Sequence, residues 1–231
     1  MSKFNEKYGV AGKRNIFTEM FHHIQNVFGV NPQKFILQPP FLWILNLSNG
    51  TSASVTIEPD KIPIDEEECK YILKNCKTQD LSIKVDFPQG FRYFGPFASH
   101  QKIKICDGSW LILENLISIG KSCTHIIIEK SNLTTRDINS FLKFWYNQKV
   151  NCFRRLTINF EFVNKVSLFD GLEHGTKVIE ETMKHECVGD TVQLDAGFTV
   201  LQRKDGMIAT VLSDDRYKRL TIYVWTSLEP F

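Results

Sequence analysis

The sequence predicts an α/β protein with a mainly parallel sheet, closed by a C-terminal antiparallel β-meander. Three observations lead to this prediction. Helical and alternating stretches take turns along most of the chain, which is typical of parallel strands joined by helical crossovers. The clearest strand–helix–strand unit lies within residues 124–162. The last third of the chain instead shows short alternating stretches around an Asp-Gly turn signal.

The predicted strands are unevenly spaced, near residues 83, 126 and 158, whereas a strict solenoid repeats at one fixed period. We therefore predict irregular β/α units that are leucine-rich-repeat-like in layout, although the consensus LxxLxLxxN does not occur cleanly. We assign residues 15–231 to a single domain. Residues 1–14 are polar and contain glycine, so we expect a flexible N-terminus.

The pattern of the N-terminal part predicts two helices and two strands. Residues 16–28 and residues 64–75 carry apolar side chains at helical spacing. The second helix holds Asp65–Glu68 in its first turn, where the helix dipole favours carboxylates. Lys34–Leu37 is a short candidate strand before two prolines, and Ala53–Glu58 alternates as a strand does.

The middle of the chain continues this order. The predicted elements are a strand Leu81–Phe87, a long aromatic loop 88–101, a strand Lys102–Cys106, a buried helix Trp110–Ile119 ended by Gly120, and a strand Thr124–Glu129. In the first of these strands, apolar residues alternate with Ser82, Lys84 and Asp86. This pattern predicts one buried and one polar face.

The next helix and strand have the strongest local signals. Thr134 is a candidate N-cap, with Asp137 three residues on in a capping-box position. An apolar stripe at helical spacing follows: Ile138, Phe141, Leu142 and Trp145. The strand then alternates two sets, the apolar Leu156, Ile158, Phe160 and Phe162 and the polar Thr157, Asn159 and Glu161.

The C-terminal part is predicted to be mainly β. Residues near Lys177–His185 have a weak helical pattern. Thr199–Arg203 and Met207–Leu212 flank the turn at Lys204–Gly206, and Leu220–Trp225 supplies a third strand. Asp-Gly between alternating stretches is a strong hairpin signal, so we predict an antiparallel meander of three strands.

Composition limits the classes of function. The formal net charge of +2 gives no general attraction to nucleic acid. No apolar run of signal-peptide type follows the N-terminus, and Phe41–Leu47 is far shorter than the roughly 20 residues that span a bilayer. We therefore expect an intracellular protein, cytoplasmic or nuclear, that has no membrane among its partners. The six cysteines form no CxxC pair, so we expect reduced structural thiols.

No catalytic, cofactor or metal site is predicted. The sequence lacks GxGxxG, GxxxxGK[ST] and GxSxG motifs, and the best zinc candidates, His185 and Cys187 with His174, or His22–His23, lack the pairwise spacing of a structural site. Two alternatives stay open. One is an enzyme with an unrecognised site near the loop 88–101. The other is a nucleic-acid-binding protein that uses the basic residues Arg154, Arg155, Arg216, Lys218 and Arg219.

Several stretches resemble the F-box-associated domain (type 2) of the large nematode family of F-box proteins. They are Ser131–Trp145, Phe153–Ile158, Phe169–Leu172, Leu201–Val211 and Leu220–Trp225. The resemblance implies a protein-binding module. In such proteins an F-box docks on a cullin–RING ubiquitin ligase and the associated domain captures the substrate.

The sequence departs from the family in two places. Its first residues lack the Leu-Pro-rich helical pattern of an F-box, so we expect no recognisable F-box and a ligase adaptor as partner only if one exists. Gln148–Cys152 stands where the family usually has a turn-like sequence. We predict that a protein substrate contacts the polar strand faces: Lys84, Asp86, Glu129, Thr157, Asn159 and Glu161. Exposed polar faces are also common in sheets without such a role.

Overall fold

The computed structural model of the protein describes most of the chain from residue 33 to residue 225. The described residues are 18–23, 26–27, 29, 33–46, 54–159, 166–187, 189–214 and 216–225. The predicted flexible segment 1–14 lies outside them, as do several residues of the first predicted helix. Residues 18–23 and 26–27 of that helix are helical.

Besides the helical residues 18–23 and 26–27, three α-helices and twelve β-strands make up the described fold. The helices are α1 Glu66–Asn75, α2 Leu113–Ser122 and α3 Thr135–Tyr146. The strands are β1 Lys34–Leu37, β2 Ser54–Ile57, β3 Asp80–Ile83, β4 His100–Ile105, β5 Cys123–Ile128, β6 Arg155–Asn159, β7 Thr176–Val178, β8 Met183–Cys187, β9 Asp190–Leu194, β10 Thr199–Gln202, β11 Ile208–Asp214 and β12 Arg219–Trp225. Short 3₁₀ helices cover Pro39–Asn46, Val166–Phe169 and Glu173–Gly175.

Ten of these strands form one sheet in the order β1-β2-β3-β4-β5-β6-β12-β11-β10-β7. Neighbours from β1 to β6 pair in parallel, and the pairs from β6 to β7 are antiparallel. The large parallel sheet and the β10–β11–β12 meander are thus confirmed. The leucine-rich-repeat-like description and the domain boundaries stay predictions.

All three α-helices pack on one face of the parallel strands. The apolar residues of β3, β4 and β5 form one buried cluster with residues of the helices, among them Ile72, Leu116 and Phe141. The predicted stripe of α3 is entirely buried in this cluster. Thr134 caps α3 as predicted, because its side chain accepts a hydrogen bond from the Asp137 amide at 3.2 Å and its own amide donates to the Asp137 carboxylate at 2.8 Å.

The prediction that the buried helix Trp110–Ile119 ends at Gly120 is wrong. Helix α2 begins at Leu113 and continues through Gly120 to Ser122. The glycine serves close packing, since a Cβ atom at this position would lie 2.9 Å from side-chain atoms of both Phe141 and Val150. Gly120 therefore lets α2 and α3 approach each other.

Two other predicted boundaries also differ. Strand β3 ends at Ile83 rather than Phe87, because the chain turns there into the crossover to β4. Helix α1 begins at Glu66, and Asp65 is its N-cap rather than part of its first turn.

The weak helix predicted near Lys177–His185 is wrong. This stretch contributes to β7 and β8, and β8 pairs with β9 as a separate antiparallel hairpin. Burial alternates along β8 with a period of two, since the hairpin lies on the face of the antiparallel strands opposite the helices. Its His185 ring stacks on Trp225 with ring centroids 4.9 Å apart.

Among the residues that the structure describes, no helix is both long enough and apolar enough to cross a bilayer.

Candidate protein-interaction surface

The parallel strands have a second face that the α-helices do not cover. Side chains of β3, β4 and β5 that point away from the helices form this surface, which we call the open face: Ser82, Lys102, Lys104, His125 and Ile127. All five are half-buried. Parallel sheets usually have both faces covered, so an accessible polar face on this sheet is unusual.

The ends of the same strands add a row of polar residues, which we call the carboxyl rim. Lys84 and Glu129 each follow a strand directly, and Asn159 ends β6. The ladder carries on into this row, because the Lys84 amide donates to Ile57 and the Glu129 amide donates to Ile105. Three of the predicted contact residues are therefore brought to one edge of the sheet.

Ion pairs connect the rim to its surroundings. Lys84 Nζ lies 3.0 Å from a Glu58 carboxylate oxygen, and Lys104 Nζ lies 2.8 Å from Glu129. These side chains keep between 37% and 48% of their area exposed, so solvent screens the pairs and each contributes little to stability. A partner could exchange such pairs for its own charges at low cost.

The other predicted contact residues have different places. Asp86 is exposed beyond the end of β3 and pairs with Lys130 at 3.4 Å. Thr157 is buried, with its hydroxyl 3.4 Å from that of Thr221 on the antiparallel neighbour β12. The prediction that Thr157 is exposed is therefore wrong. Glu161 lies outside the described residues.

His125 lies between two basic side chains on the open face. It is in register with Lys102 on one side and Arg155 on the other. Burial first, and then the positive charges of Arg155 and Lys102, lower the pKa of His125 to about 4. The ring is therefore neutral near pH 7, and the positive charge of this row comes from its two neighbours.

Lys102, Lys104 and His125 are not among the contact residues predicted from the sequence. The alternation of Lys102–Cys106 was visible and would have placed Lys102 and Lys104 on the polar face, whereas the apolar run Ile126–Ile128 gave no such signal for His125. Only the neighbouring order of the strands, which the sequence does not give, brings them beside Lys84 and Glu129.

Strands β4 and β5 and most of β6 lie in a segment that matches a known family. Residues 97–158 match the family model described as F-box associated. The predicted resemblance is thereby confirmed over β4, α2, β5, α3 and most of β6, and the match suggests a protein-interaction role associated with F-box proteins. A search among curated proteins found no match to the chain.

Other residues that resemble the F-box-associated family contact this matched segment and stabilise it. The Asn139 amide donates to the carbonyls of Leu168 and Asp170 at 2.9 and 3.0 Å. Arg203 lies over the Trp145 ring, with its guanidinium carbon 4.9 Å from the ring centroid. These contacts give the resembling residues a role in packing.

The basic residues proposed for nucleic-acid binding do not form one patch. Arg155 forms an ion pair with Asp190, while Arg219 pairs with Asp214 at 3.6 Å at the opposite end of the β6–β12 pair. Arg154 donates to backbone carbonyls of its own loop. Nothing in this arrangement favours a phosphate backbone as ligand.

The candidate zinc residues have structural contacts. His185 is buried against Trp225, and the Cys187 thiol donates to the carbonyls of Arg154 and Val224 at 3.5 Å. Within the described ranges, no group of three or more potential ligands lies close enough to hold a metal ion. The absence of a metal or cofactor stays a prediction.

The predicted loop 88–101 is shorter than expected, because β4 begins at His100. Phe91, Tyr93 and Phe97 of this loop are buried. The Phe91 ring meets that of Trp110 edge-on with centroids 5.3 Å apart, and the Tyr93 and Phe97 centroids are 5.1 Å apart. These aromatic residues therefore fill the helix layer between α1 and α2, where no helix connects β3 to β4.

Proposed function

We propose that this protein is a protein-interaction module that captures a protein partner on the open face and the carboxyl rim. The observation that carries the proposal is the polar face of the parallel strands that the described α-helices leave uncovered, since most of it (Lys102, Lys104, His125 and Ile127) belongs to the segment that matches the F-box associated family. Lysines, a glutamate and an aliphatic side chain lie together there, a mixture that suits a non-obligate protein interface.

The finer proposal is that the captured protein is a substrate of a cullin–RING ubiquitin ligase, as in the F-box proteins that the chain resembles. On this proposal the protein acts by binding and is not itself an enzyme. The motif residues of α3 support this division of roles, because they maintain the fold while the opposite side of the sheet faces solvent.

Partner capture by variants of the full chain tests the proposed surface. A tagged Lys84→Glu/Lys102→Glu double variant reverses two charges on this side without removing core atoms. We expect its capture of the main copurifying protein to fall at least about tenfold relative to wild type, as expected for a hot-spot contact. Quantitative mass spectrometry of the purified complexes measures this change.

The matched control is Lys121→Glu, which reverses an exposed charge on α2, on the helix side. This variant should retain the partner. Equal capture by the double variant and wild type would contradict the proposed surface. Because no F-box is recognisable, recovery of cullin-ligase subunits with the wild-type chain would support the finer proposal by way of another docking element, and their absence would contradict it.

A further inference from the structure

One phenylalanine of the crossover loop between β3 and β4 stands in solvent. Phe94 is 79% exposed, whereas Phe91, Tyr93 and Phe97 around it are at most 9% exposed. An aromatic ring exposed among buried aromatic neighbours is typical of an anchor for another molecule.

The backbone that carries Phe94 is held in place from both sides. The Tyr93 hydroxyl donates to the Pro96 carbonyl at 2.6 Å, and the Asn115 side chain donates to the Tyr93 carbonyl at 2.6 Å. Gly95 completes the turn, since a Cβ atom there would lie 2.7 Å from the Tyr93 hydroxyl oxygen. Because the loop is already ordered, binding through Phe94 would cost little conformational entropy.

A groove of about 590 Å³ lies beside Phe94, between this loop and α1. Tyr71 and Pro96 supply apolar surface to its lining, and Lys74 and Arg92 supply positive charge. The ion pairs of the described residues bind Lys70 to Glu67 at 2.9 Å, but they leave the exposed Lys74 and Arg92 without a carboxylate. The groove therefore has an excess of positive charge.

We propose that Phe94 and this groove bind a peptide segment of a protein partner that carries carboxylates next to an apolar side chain. The apolar side chain packs against Phe94 and Tyr71. The carboxylates pair with Lys74 and Arg92, which form no ion pair with a described residue. Charge complementarity of this kind favours an acidic partner and rejects a basic one.

This surface is distinct from the open face. The loop contacts α1 through the hydrogen bond from the Ala98 amide to the Leu73 carbonyl and contacts α2 through Asn115, so Phe94 lies in the helix layer. The two surfaces are on opposite sides of the sheet, and either proposal could fail without the other.

Selection from a random peptide library displayed on phage, with the immobilised full chain as target, tests the proposal. We expect selected peptides to be enriched in Asp and Glu beside Leu, Phe or Trp. A fluorescent copy of the most enriched peptide is then titrated by anisotropy. Phe94→Ala and Lys74→Glu/Arg92→Glu should each weaken its binding at least about tenfold.

Two control variants should bind that peptide as wild type does. Val178→Ala removes another exposed apolar side chain, on β7, and Lys121→Glu reverses an exposed charge on α2. Circular dichroism checks that every variant is folded. Since Phe94, Lys74 and Arg92 are exposed, their substitution leaves the core intact.

Several results would overturn the proposal. They are a library that yields no binding peptide, selected peptides without acidic enrichment, and unchanged affinity in the Phe94→Ala variant. Self-association in sedimentation that Phe94→Ala abolishes would also overturn it, because the occupant of the groove would then be a second copy of the chain.

Discussion

At the residue scale, Arg203 is the side chain on which the contact between the C-terminal meander and α3 most depends. Its side chain is 5% exposed. Its guanidinium donates to the Trp145 carbonyl at 3.1 Å, to the Asn151 amide oxygen at 2.6 Å and to Asp205 at 2.6 Å. A buried cation with this many partners is costly to remove.

We expect Arg203→Met to lower the free energy of unfolding by about 2–4 kcal/mol, because the Trp145 carbonyl, the Asn151 side chain and the Asp205 carboxylate each lose a charged hydrogen-bond donor. Urea unfolding followed by tryptophan fluorescence measures the change. Lys204→Met, at the exposed neighbouring position, is the matched control and should stay within about 0.5 kcal/mol of wild type. An equally small effect for Arg203→Met would show that its hydrogen bonds do not stabilise the fold.

His125 should make stability depend on pH. Its pKa of about 4 in the folded protein lies below the ordinary value of 6.5, so the unfolded chain binds more protons between these values. Stability that is present near neutral pH is therefore lost as the pH falls from about 6.5 to about 4. Allowing for solvent screening, we expect a loss of about 1–2 kcal/mol.

Urea unfolding of wild type and His125→Gln at about pH 7 and about pH 4.5 isolates this contribution. The burial of His100 and His185 also lowers their pKa values, so only the difference between the two proteins reports on His125. The variant should lose less stability on acidification than wild type. Equal losses would contradict the inferred pKa of His125.

Whether single residues could be predicted depended on the range of their interactions. The cap formed by Thr134 and Asp137 joins residues three positions apart, so the local sequence was enough to predict it. Thr157 is buried because β12, which carries Thr221, pairs beside it. That pairing joins residues far apart in sequence, so alternation alone predicted an exposed threonine.

At the scale of elements, the contact between α2 and α3 depends on the absence of a side chain at Gly120. We expect Gly120→Ala to destabilise the protein by about 1–2 kcal/mol. Overpacking against Phe141 and Val150 costs about 1–3 kcal/mol, and the gain of about 1 kcal/mol in helix propensity offsets only part of it.

Thermal and urea unfolding measure this effect, and Lys121→Ala at the adjacent exposed position controls for helix propensity. If Gly120→Ala stabilised the protein, Gly120 would not be needed for packing, and α2 and α3 would have room to separate.

Elements with strong periodicity were predicted, and elements defined by distant pairing were not. Helix α3 carries a complete apolar stripe. In β8, by contrast, His185 occupies one of the buried positions. The alternation of apolar and polar residues that marks a strand was therefore weak in the sequence. Only its position against Trp225 of β12 explains why a histidine is buried there.

At the scale of the whole molecule, the central feature is a parallel sheet on which helices α1, α2 and α3 pack against the same face. The helices pack on the apolar residues of the strands. Phe91 and Phe97 of the loop between β3 and β4 pack in the same core, at the place where no helix joins these two strands. The opposite face keeps its lysines beside the carboxyl rim. The sequence indicated parallel strands, but the strand order that unites Lys84, Lys102 and Lys104 required the structure.

Lysine-directed cross-linking of the full chain in complex with its copurified partner, read by mass spectrometry, tests most directly whether the open face captures that partner. We predict cross-links to the partner from Lys84, Lys102 and Lys104. Cross-links confined to Lys121 and Lys143, which lie on α2 and α3, would place the partner on the helix side and contradict the account.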